Sequence, residues 1–190
     1  MCFKKGKVII IAAPSGSGKT TITRFLLSQN LNLQFSVSAC SREKRSNELD
    51  GVDYHFIGLN EFKERIKKNE FLEWEEVYKD SFYGTLREDV ISKLDSGTNI
   101  IFDIDVKGAL TLKRIFKHQS LTVYIDVPEQ IIERRLRDRK TEDEKDIVNR
   151  LIKLKEEKMF MPQFDKVIVN IDLDKLKTKI LLSVKEFLKK

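Results

Sequence analysis

Residues 8–20 read Val8-Ile9-Ile10-Ile11-Ala12-Ala13-Pro14-Ser15-Gly16-Ser17-Gly18-Lys19-Thr20 and join two segments of different character. The β-branched run from Val8 to Ala12 is typical of a buried parallel strand, and the apolar spacing from Thr20 to Ser28 predicts a helix. The loop between them is rich in glycine and serine, so the chain can turn sharply there. A strand, a glycine-rich loop and a helix in this order favour an α/β fold with a phosphate-binding loop.

The loop itself resembles the P-loop pattern, in which a glycine is followed by four residues and then by Gly-Lys-Ser/Thr. Ala13 stands where the general pattern has its first glycine, and the match is complete from Gly18 onward. Lys19 can reach the β- and γ-phosphates of a nucleotide, and the Thr20 hydroxyl can bind Mg²⁺. An ordinary Gly/Ser loop that caps a helix is the alternative interpretation. The residues predicted to bind ATP are Ala13, Pro14, Ser15, Gly16, Ser17, Gly18, Lys19, Thr20 and Thr21.

The composition fits a single globular domain with small insertions and excludes several classes of protein. The 190 residues are 41% apolar and carry a formal net charge of +6, which suits anionic ligands such as nucleotides, nucleic acids or membrane surfaces. Two cysteines and two histidines are too few for a disulfide framework, a zinc site or a histidine-rich metal site. No apolar run is long enough to cross a membrane, and the basic start lacks the apolar core of a signal peptide. We therefore expect a cytoplasmic protein.

The order of apolar segments predicts a doubly wound parallel sheet covered by helices, with three to five strands. This core is predicted to comprise residues 1–34, 87–127 and 157–190, with an inserted β-rich lobe at 35–86 and a charged helical lid at 128–156. The further core strands are predicted at Asn99–Ile104, Leu121–Val127 and Lys166–Val169. The lobe is predicted to contain a helix at Glu61–Lys68 and strands at Phe35–Ala39, Tyr54–Ile57 and Phe71–Val77.

The second apolar strand of the core ends in two acidic residues, Asp103 and Asp105. Ligands of open α/β sheets bind beyond the carboxyl ends of the strands, so Asp103 is expected beside the phosphate loop. There it can hold Mg²⁺ together with Thr20, either directly or through water. The alternative for Asp103 is a carboxylate that caps the following helix, and Asp105 could instead face the phosphate acceptor.

The β-rich lobe carries side chains suited to the phosphate of a nucleotide acceptor. Arg42 and Arg45, with Tyr54 and Tyr83, can clamp a monophosphate through guanidinium and phenol donors. Taken singly, arginines on loops are more often solvated, and tyrosines in a small lobe more often belong to its core. Together with a phosphate loop, the set favours a nucleotide acceptor site.

Other side chains of the lobe suit a guanine base. A carboxylate at Glu73 can accept hydrogen bonds from the N1–H and the exocyclic amine of guanine, an edge that adenine does not present. Ser38 and Thr85 can add hydroxyl contacts to the base.

These motifs resemble those of the guanylate kinase family, whose members transfer the γ-phosphate of ATP to GMP, and the resemblance runs nearly from end to end. The family's loop, Gly/Ala-Pro-Ser-Gly-x-Gly-Lys, has alanine as an accepted first residue, so Ala13 agrees with it. The remaining segments that match the family are Ser36–Arg45, Gly51–Phe56, Phe71–Trp74, Tyr83–Thr85 and Asp103–Gly108.

The resemblance implies an enzyme of purine nucleotide metabolism with ATP as donor, GMP or dGMP as acceptor and Mg²⁺ as cofactor. It also implies an adenine contact at Asn170. Catalytic roles are implied for Lys19, Arg42, Arg135, Arg139 and Arg150. The residues implied to bind GMP are Ser38, Arg42, Arg45, Glu48, Tyr54, Glu73, Tyr83, Thr85 and Asp105.

The chain departs from the family's usual residues at several loop positions. Lys44 replaces a proline, Cys40-Ser41 replaces Thr-Thr, Asn47 replaces a glycine and Lys140 replaces a glycine of the lid. These departures bear on loop rigidity and catalytic rate. The two arginines, the two tyrosines and Glu73 are unaffected.

Three other functions are compatible with parts of the sequence. A kinase for another nucleoside monophosphate is disfavoured by Glu73 and the Ser/Thr pair. A family member that binds proteins without catalysis would tend to lose Lys19 and the lid arginines, which this chain keeps. Nucleic-acid binding is disfavoured because the sequence has no recognition helix, RNP-like aromatic pair or basic tail. We expect neither nucleic acid nor membrane as a partner, and the sequence leaves open whether the protein is a monomer or a homo-oligomer.

Overall fold

The structure is a computed structural model that describes residues 5–14, 17–138 and 144–190. Helices and strands alternate along most of the chain, which is an α/β protein. The elements are β1 (Val8–Ala12), α1 (Lys19–Leu27), β2 (Leu33–Phe35), β3 (Ala39–Cys40), β4 (His55–Phe56), α2 (Leu59–Lys67), β5 (Phe71–Tyr78), β6 (Ser81–Leu86), α3 (Arg87–Asp95), β7 (Asn99–Ile104), α4 (Val106–Phe116), β8 (Ser120–Asp126), α5 (Glu129–Asp138), α6 (Glu144–Lys158), β9 (Lys166–Val169) and α7 (Leu173–Lys189).

One of the two sheets has five strands in the order β2-β7-β1-β8-β9. β1 pairs with β8 in parallel, with Val8 opposite Ser120 and Ala12 opposite Tyr124, and β8 pairs with β9 in parallel. All five residues of β1 are fully buried. A central parallel strand is covered on both faces, which explains why its sequence is continuously apolar instead of alternating.

The chain divides into two compact units, of which the larger comprises residues 8–33 and 101–190. This unit contains the phosphate loop, α4, β8 and the C-terminal half of the chain. Asp165, just before β9, accepts hydrogen bonds from the Thr122 amide and hydroxyl at 2.9 and 2.7 Å and pairs with Lys113 at 2.6 Å. These bonds tie β8 to the segment before β9, and they hold the pKa of Asp165 below its ordinary value despite partial burial.

The smaller unit, described over residues 5–7 and 34–100, contains a four-stranded sheet with the order β4-β3-β6-β5. β5 and β6 form an antiparallel hairpin, and β3 pairs antiparallel with β6 and parallel with β4. Helix α2 covers this sheet through Phe62, whose ring stacks on Phe71 at 4.4 Å and lies 5.7 Å from that of Phe82. Leu59 and Ile66 of α2 pack beside Phe62 against the same cluster, so one apolar stripe holds a helix whose remaining residues are polar.

Most predicted elements are present, and three strands have the predicted bounds: Val8–Ala12, Asn99–Ile104 and Lys166–Val169. The predicted strand Phe35–Ala39 is wrong, because β2 ends at Phe35 in one sheet and β3 begins at Ala39 in the other. The parallel core sheet is confirmed. The functional division into core, lobe and lid stays a prediction.

Strand β6 was not predicted, because Gly84 interrupts its alternation of apolar and polar residues. A Cβ at this position would lie 2.8 Å from the carbonyl oxygen of Glu73 and 2.9 Å from Cβ of Trp74. Only glycine allows the two strands of the hairpin to approach this closely.

Within the described residues, no helix combines the length and hydropathy that a membrane span requires.

Candidate active site

The phosphate loop leaves the carboxyl end of β1 and enters α1 through Gly18. Gly18 has φ 90° and ψ 14°, a left-handed conformation that side chains disfavour. A Cβ there would also lie 3.3 Å from the amide nitrogen of Asn170. The following helix presents unpaired backbone N–H groups toward the loop, which is a general anion-binding feature. Ser15 and Gly16, which were predicted to bind ATP, lie outside the described residues.

Lys19 and Thr20, the first residues of α1, both contact Asp103 on β7. The Lys19 ammonium lies 3.1 Å from Oδ1 of Asp103 and donates to the Ile104 carbonyl at 3.2 Å. The Thr20 hydroxyl donates to Oδ2 of Asp103 at 3.3 Å. The structure thus brings together the lysine, hydroxyl and carboxylate that the sequence placed at the carboxyl ends of neighbouring strands.

The donor set at this point fits a magnesium ion. Thr20 and Asp103 supply hard oxygen atoms of the type that Mg²⁺ prefers, and the Thr20 side chain is exposed. In the part of the chain that the structure describes, no group of three or more His, Cys, Asp or Glu side chains is arranged to hold a metal. An ion here would therefore depend on nucleotide phosphates and water for its remaining ligands.

Asn170, the residue after β9, is hydrogen-bonded to the phosphate loop. Its side-chain amide donates to the Ser17 carbonyl at 2.7 Å, and its backbone N–H donates to Asp126 at 2.7 Å. Asn170 is 2% exposed, and neither its Oδ1 atom nor Oγ of Ser17 has a hydrogen-bond partner among the described residues. The predicted adenine contact of Asn170 stays a prediction.

In the smaller unit, Arg42 is the centre of a polar cluster. Its Nη1 and Nη2 atoms donate to the two carboxylate oxygens of Glu48 at 2.7 and 2.6 Å, and its Nε atom donates to the Tyr83 hydroxyl at 3.1 Å. The guanidinium also lies over the ring of Tyr54, 5.2 Å from the ring centre. These contacts fix the orientation of an arginine that was predicted to hold a phosphate.

The ion pair shifts the protonation equilibria of both partners. Hydrogen bonds from Arg42 and from the backbone N–H of Arg45 lower the pKa of Glu48 to about 2. The hydrogen bond to Glu48 raises the pKa of Arg42 above its ordinary value. Both groups therefore remain charged across the physiological pH range, and Arg42 stays a permanent cation beside Tyr83.

Arg45 differs from Arg42 in its surroundings. Its backbone N–H donates to Glu48 at 3.0 Å, and its side chain is exposed. Among the residues that the structure describes, no carboxylate or carbonyl pairs with the Arg45 guanidinium. Of the two predicted phosphate-binding arginines, Arg45 is therefore the more adaptable donor.

Glu73 and Thr85 face each other across the β5–β6 hairpin. The Thr85 hydroxyl donates to Oε1 of Glu73 at 2.6 Å, and Thr85 is 1% exposed. Tyr83 lies two residues before Thr85 on β6, so both side chains project from the same face of the strand. The hairpin thus places the predicted base-binding pair and one member of the predicted phosphate clamp on one surface.

The tyrosines of the clamp pack edge to face. The rings of Tyr54 and Tyr83 are 5.6 Å apart at an interplanar angle of 65°, and Tyr54 makes a similar contact with Phe56. Edge-to-face contacts hold aromatic side chains in defined orientations. Tyr83 is thereby positioned both by Tyr54 and by Arg42.

The other predicted site residues are distributed over both units. Ser38 is half-buried before β3, and its carbonyl accepts a hydrogen bond from the His55 amide at 2.9 Å. Asp105 caps α4, with Oδ1 accepting from the Gly108 amide at 2.9 Å. Arg150 is half-buried on α6. Arg139, like Lys140, lies outside the described residues, as does the side chain of Arg135.

Two features of the site escaped the sequence analysis. The bond between Asn170 and Ser17 joins residues 153 positions apart, which no local pattern indicates. The Ser41 hydroxyl donates to the Asp80 carbonyl at 3.0 Å and accepts from the Phe82 amide at 2.8 Å, linking the predicted phosphate-binding segment to the hairpin. Ser41, which differs from the family's usual threonine, thus supplies a structural hydrogen bond. At the neighbouring Cys40, burial raises the pKa of the thiol.

The comparisons with known proteins agree on one family. The family model described as guanylate kinase matches residues 5–190. This chain belongs to the guanylate kinase family. The guanylate kinase of Bacteroides thetaiotaomicron is 48% identical over 186 residues, covering 97% of this chain and 91% of that protein. The guanylate kinase of Salinibacter ruber is 43% identical over 182 residues, covering 95% of this chain and 96% of that protein.

A solved structure of the guanylate kinase family agrees with the fold. The crystal structure of guanylate kinase from Anaplasma phagocytophilum has a TM-score of 0.79 and 26% sequence identity to this chain. It matches over 100% of this chain and 90% of that one. The full length of this chain therefore has the guanylate kinase architecture.

Proposed function

We propose that this protein transfers the γ-phosphate of ATP to GMP, producing ADP and GDP. One observation carries the choice of acceptor: Glu73, paired with Thr85, shares a hairpin surface with Tyr83, the partner of Arg42. A carboxylate suited to guanine and a cationic cluster suited to a phosphate would thus belong to the same small lobe. Membership of the guanylate kinase family supports the same acceptor.

The donor side of the reaction is assigned to the phosphate loop. Lys19 and the backbone N–H groups at the start of α1 would bind the phosphates of ATP, and Ser17 and Asn170 would hold the loop in shape. Thr20 and Asp103 would hold Mg²⁺, which neutralises phosphate charge when it is bound. When Lys19 turns from Asp103 toward a phosphate, the carboxylate is freed for this second role.

The acceptor side is assigned to the lobe at 35–86. Arg42, oriented by Glu48, and the adaptable Arg45 would hold the GMP phosphate, with hydroxyls from Tyr54 and Tyr83. Glu73, whose orientation is set by Thr85, would select guanine, and Ser38 and Asp105 would complete the site. The same contacts suit dGMP, because none of them depends on the 2′-hydroxyl group.

The transfer itself would proceed in line, without a covalent intermediate, because positioning and electrostatics suffice for phosphoryl transfer. Negative charge spreads over the γ-phosphate oxygens in the transition state. Lys19 and the arginines of the lid at 128–156, namely Arg135, Arg139 and Arg150, would neutralise it. Closure of the lid would exclude water, which otherwise competes as an acceptor. We place the reaction in the purine nucleotide metabolism of the cytoplasm.

The test is ADP formation from ATP, Mg²⁺ and GMP, followed in a coupled assay with wild-type protein and with Lys19→Met. We expect GMP-dependent ADP release by the wild type and a loss of about 10³-fold or more in the variant. A family member that binds proteins without catalysis would release no ADP, and that result would overturn the proposal. Unfolding curves of both proteins show whether the variant retains the fold.

A further inference from the structure

A second concave site lies along α4, apart from the phosphate loop. The cavity has a volume of about 1000 Å³ and lies between α4 and the segment at 160–165. Lys107, Leu110, Thr111 and Arg114 line it from one face of α4, since they are spaced three and four residues apart. None of the residues assigned above to ATP, GMP or Mg²⁺ lines this cavity.

The cavity extends to the amino-terminal end of β8, whereas the phosphate loop follows the carboxyl end of β1. One of its lining residues is Ser120, the first residue of β8, which pairs with the first residue of β1. The phosphate loop follows the last residue of β1. Because β1 and β8 are parallel, this end of the cavity and the phosphate loop lie at opposite ends of the strand pair.

The lining is strongly cationic. Four cationic side chains line the cavity, namely Lys107, Lys113, Arg114 and Lys117. Among the described residues, Asp165 adds the one carboxylate. Asp165 is already engaged by Lys113 at 2.6 Å and by Thr122 at 2.7 Å. Positive charge in the cavity therefore exceeds negative charge, and a concave cationic surface concentrates anions.

Lys117 combines this charge with an unfavourable backbone conformation. It follows α4 with φ 48° and ψ −123°, a region that glycine adopts far more readily than other residues. Of the four non-glycine residues with positive φ in the described ranges, the other three are Asn or Asp, which tolerate it best. The Ser120 hydroxyl bonds to the Lys117 carbonyl at 2.9 Å and holds the turn in place. A strained residue of this kind more often serves a binding site than the stability of the fold.

We propose that this cavity binds a small phosphorylated molecule with an aromatic ring. Arg114 and Lys117, three residues apart at the end of α4, would bind the phosphate, and Leu110 and Phe160 would contact the ring. The volume is that of a site for a small organic ligand. The proposal is independent of the transfer of phosphate to GMP.

The experiment measures the binding of 1-naphthyl phosphate to the full chain by calorimetry, with 1-naphthol and inorganic phosphate as the separate halves of the probe. We expect 1-naphthyl phosphate to bind more tightly than either half. Lys117→Glu should weaken its binding by about tenfold or more, the effect of one charge-assisted contact. Lys117→Gly should weaken binding while the midpoint of thermal unfolding stays at or above that of the wild type.

Two controls decide the location of the probe. Lys185→Glu makes the same charge change at an exposed residue outside the cavity, and it should leave the affinity unchanged. Lys19→Met should also retain the binding, because the phosphate loop is not part of this site. Loss of binding in Lys19→Met, equal weakening by Lys185→Glu, or full affinity in Lys117→Glu would each overturn the proposal. Phosphorylation of GMP by Lys117→Glu at the wild-type rate is expected, which separates this test from that of the proposed function.

Discussion

The two carboxylate oxygens of Glu48 each accept a hydrogen bond from the Arg42 guanidinium, at 2.6 and 2.7 Å. A two-point pair of this kind fixes both the position and the plane of the guanidinium. Arg42 also donates from Nη1 to the Glu43 carbonyl at 2.9 Å and from Nε to the Tyr83 hydroxyl at 3.1 Å. Among the described residues, these bonds leave the second N–H group of Nη2 for a phosphate. In this account Glu48 acts on GMP mainly through Arg42, as a positioning residue.

Replacing Glu48 by Gln removes one of the two acceptors and all of the negative charge that orient Arg42. We expect KM for GMP to rise by about tenfold, because one charge-assisted hydrogen bond is worth roughly that factor. KM for ATP should stay near the wild-type value. Steady-state kinetics with each substrate varied in turn measures both. An unchanged KM for GMP would show that Arg42 needs no support from Glu48.

The ion pair between Arg42 and Glu48 makes the free energy of unfolding depend on pH. The pKa of Glu48 is lowered to about 2 in the folded chain, whereas an unfolded glutamate titrates near 4.3. The stabilisation is therefore complete above the unfolded value and is lost as the pH falls toward 2. The midpoint of thermal unfolding is measured for the wild type and for Glu48→Gln at pH 7, 5, 4, 3 and 2. The difference between the two midpoints should shrink below pH 4. A difference that stays constant over this range would contradict the assignment.

The hydrogen bond between Thr85 and Glu73 predicts how guanine is selected. In Glu73→Gln the carboxamide can still accept from the Thr85 hydroxyl, but its NH₂ group faces the N–H donors of guanine. We expect kcat/KM for GMP to fall by about 10²-fold, the cost of roughly two hydrogen bonds to a charged acceptor. Thr85→Val, which keeps the carboxylate, should have a smaller effect. If the ratio of kcat/KM for GMP to that for AMP is the same in Glu73→Gln as in the wild type, Glu73 does not select guanine.

The hydrogen bond from Asn170 to the Ser17 carbonyl predicts that variants of Asn170 bind ATP less well and bind GMP normally. Asn170→Ala removes the bond that holds the phosphate loop, so KM for ATP should rise by about five- to tenfold while KM for GMP is unchanged. Asn170→Asp is the matched variant, because its carboxylate has the same size but faces a carbonyl oxygen. Both variants should show the defect. A change in KM for GMP alone would mean that Asn170 serves the acceptor.

Much of the donor side could be predicted from the sequence, because it depends on local features. The run from Val8 to Ala12 is apolar throughout, Gly18 precedes Lys19, and Asp103 ends a second apolar strand. Strands that run parallel bring their carboxyl ends together, so the contact between Asp103 and Thr20 follows from their positions in the chain.

The acceptor side depends on strand register, which local patterns do not fix. The register of the β5–β6 hairpin shifts between Phe71 and Glu73, so counting alternate residues from the start of β5 does not show that Glu73 faces Thr85. Gly84 is required by close packing between the strands, yet it reads as a strand breaker. The tertiary contact overrides the local propensity in this hairpin.

The most direct test of the central claim is the rate of ADP formation with ATP, Mg²⁺ and each of GMP, dGMP, AMP, UMP and dTMP. If Glu73 and Thr85 select guanine, GMP and dGMP should be phosphorylated at least about 10²-fold more efficiently than the other three. Equal rates with all five acceptors, or no reaction with GMP, would contradict the account.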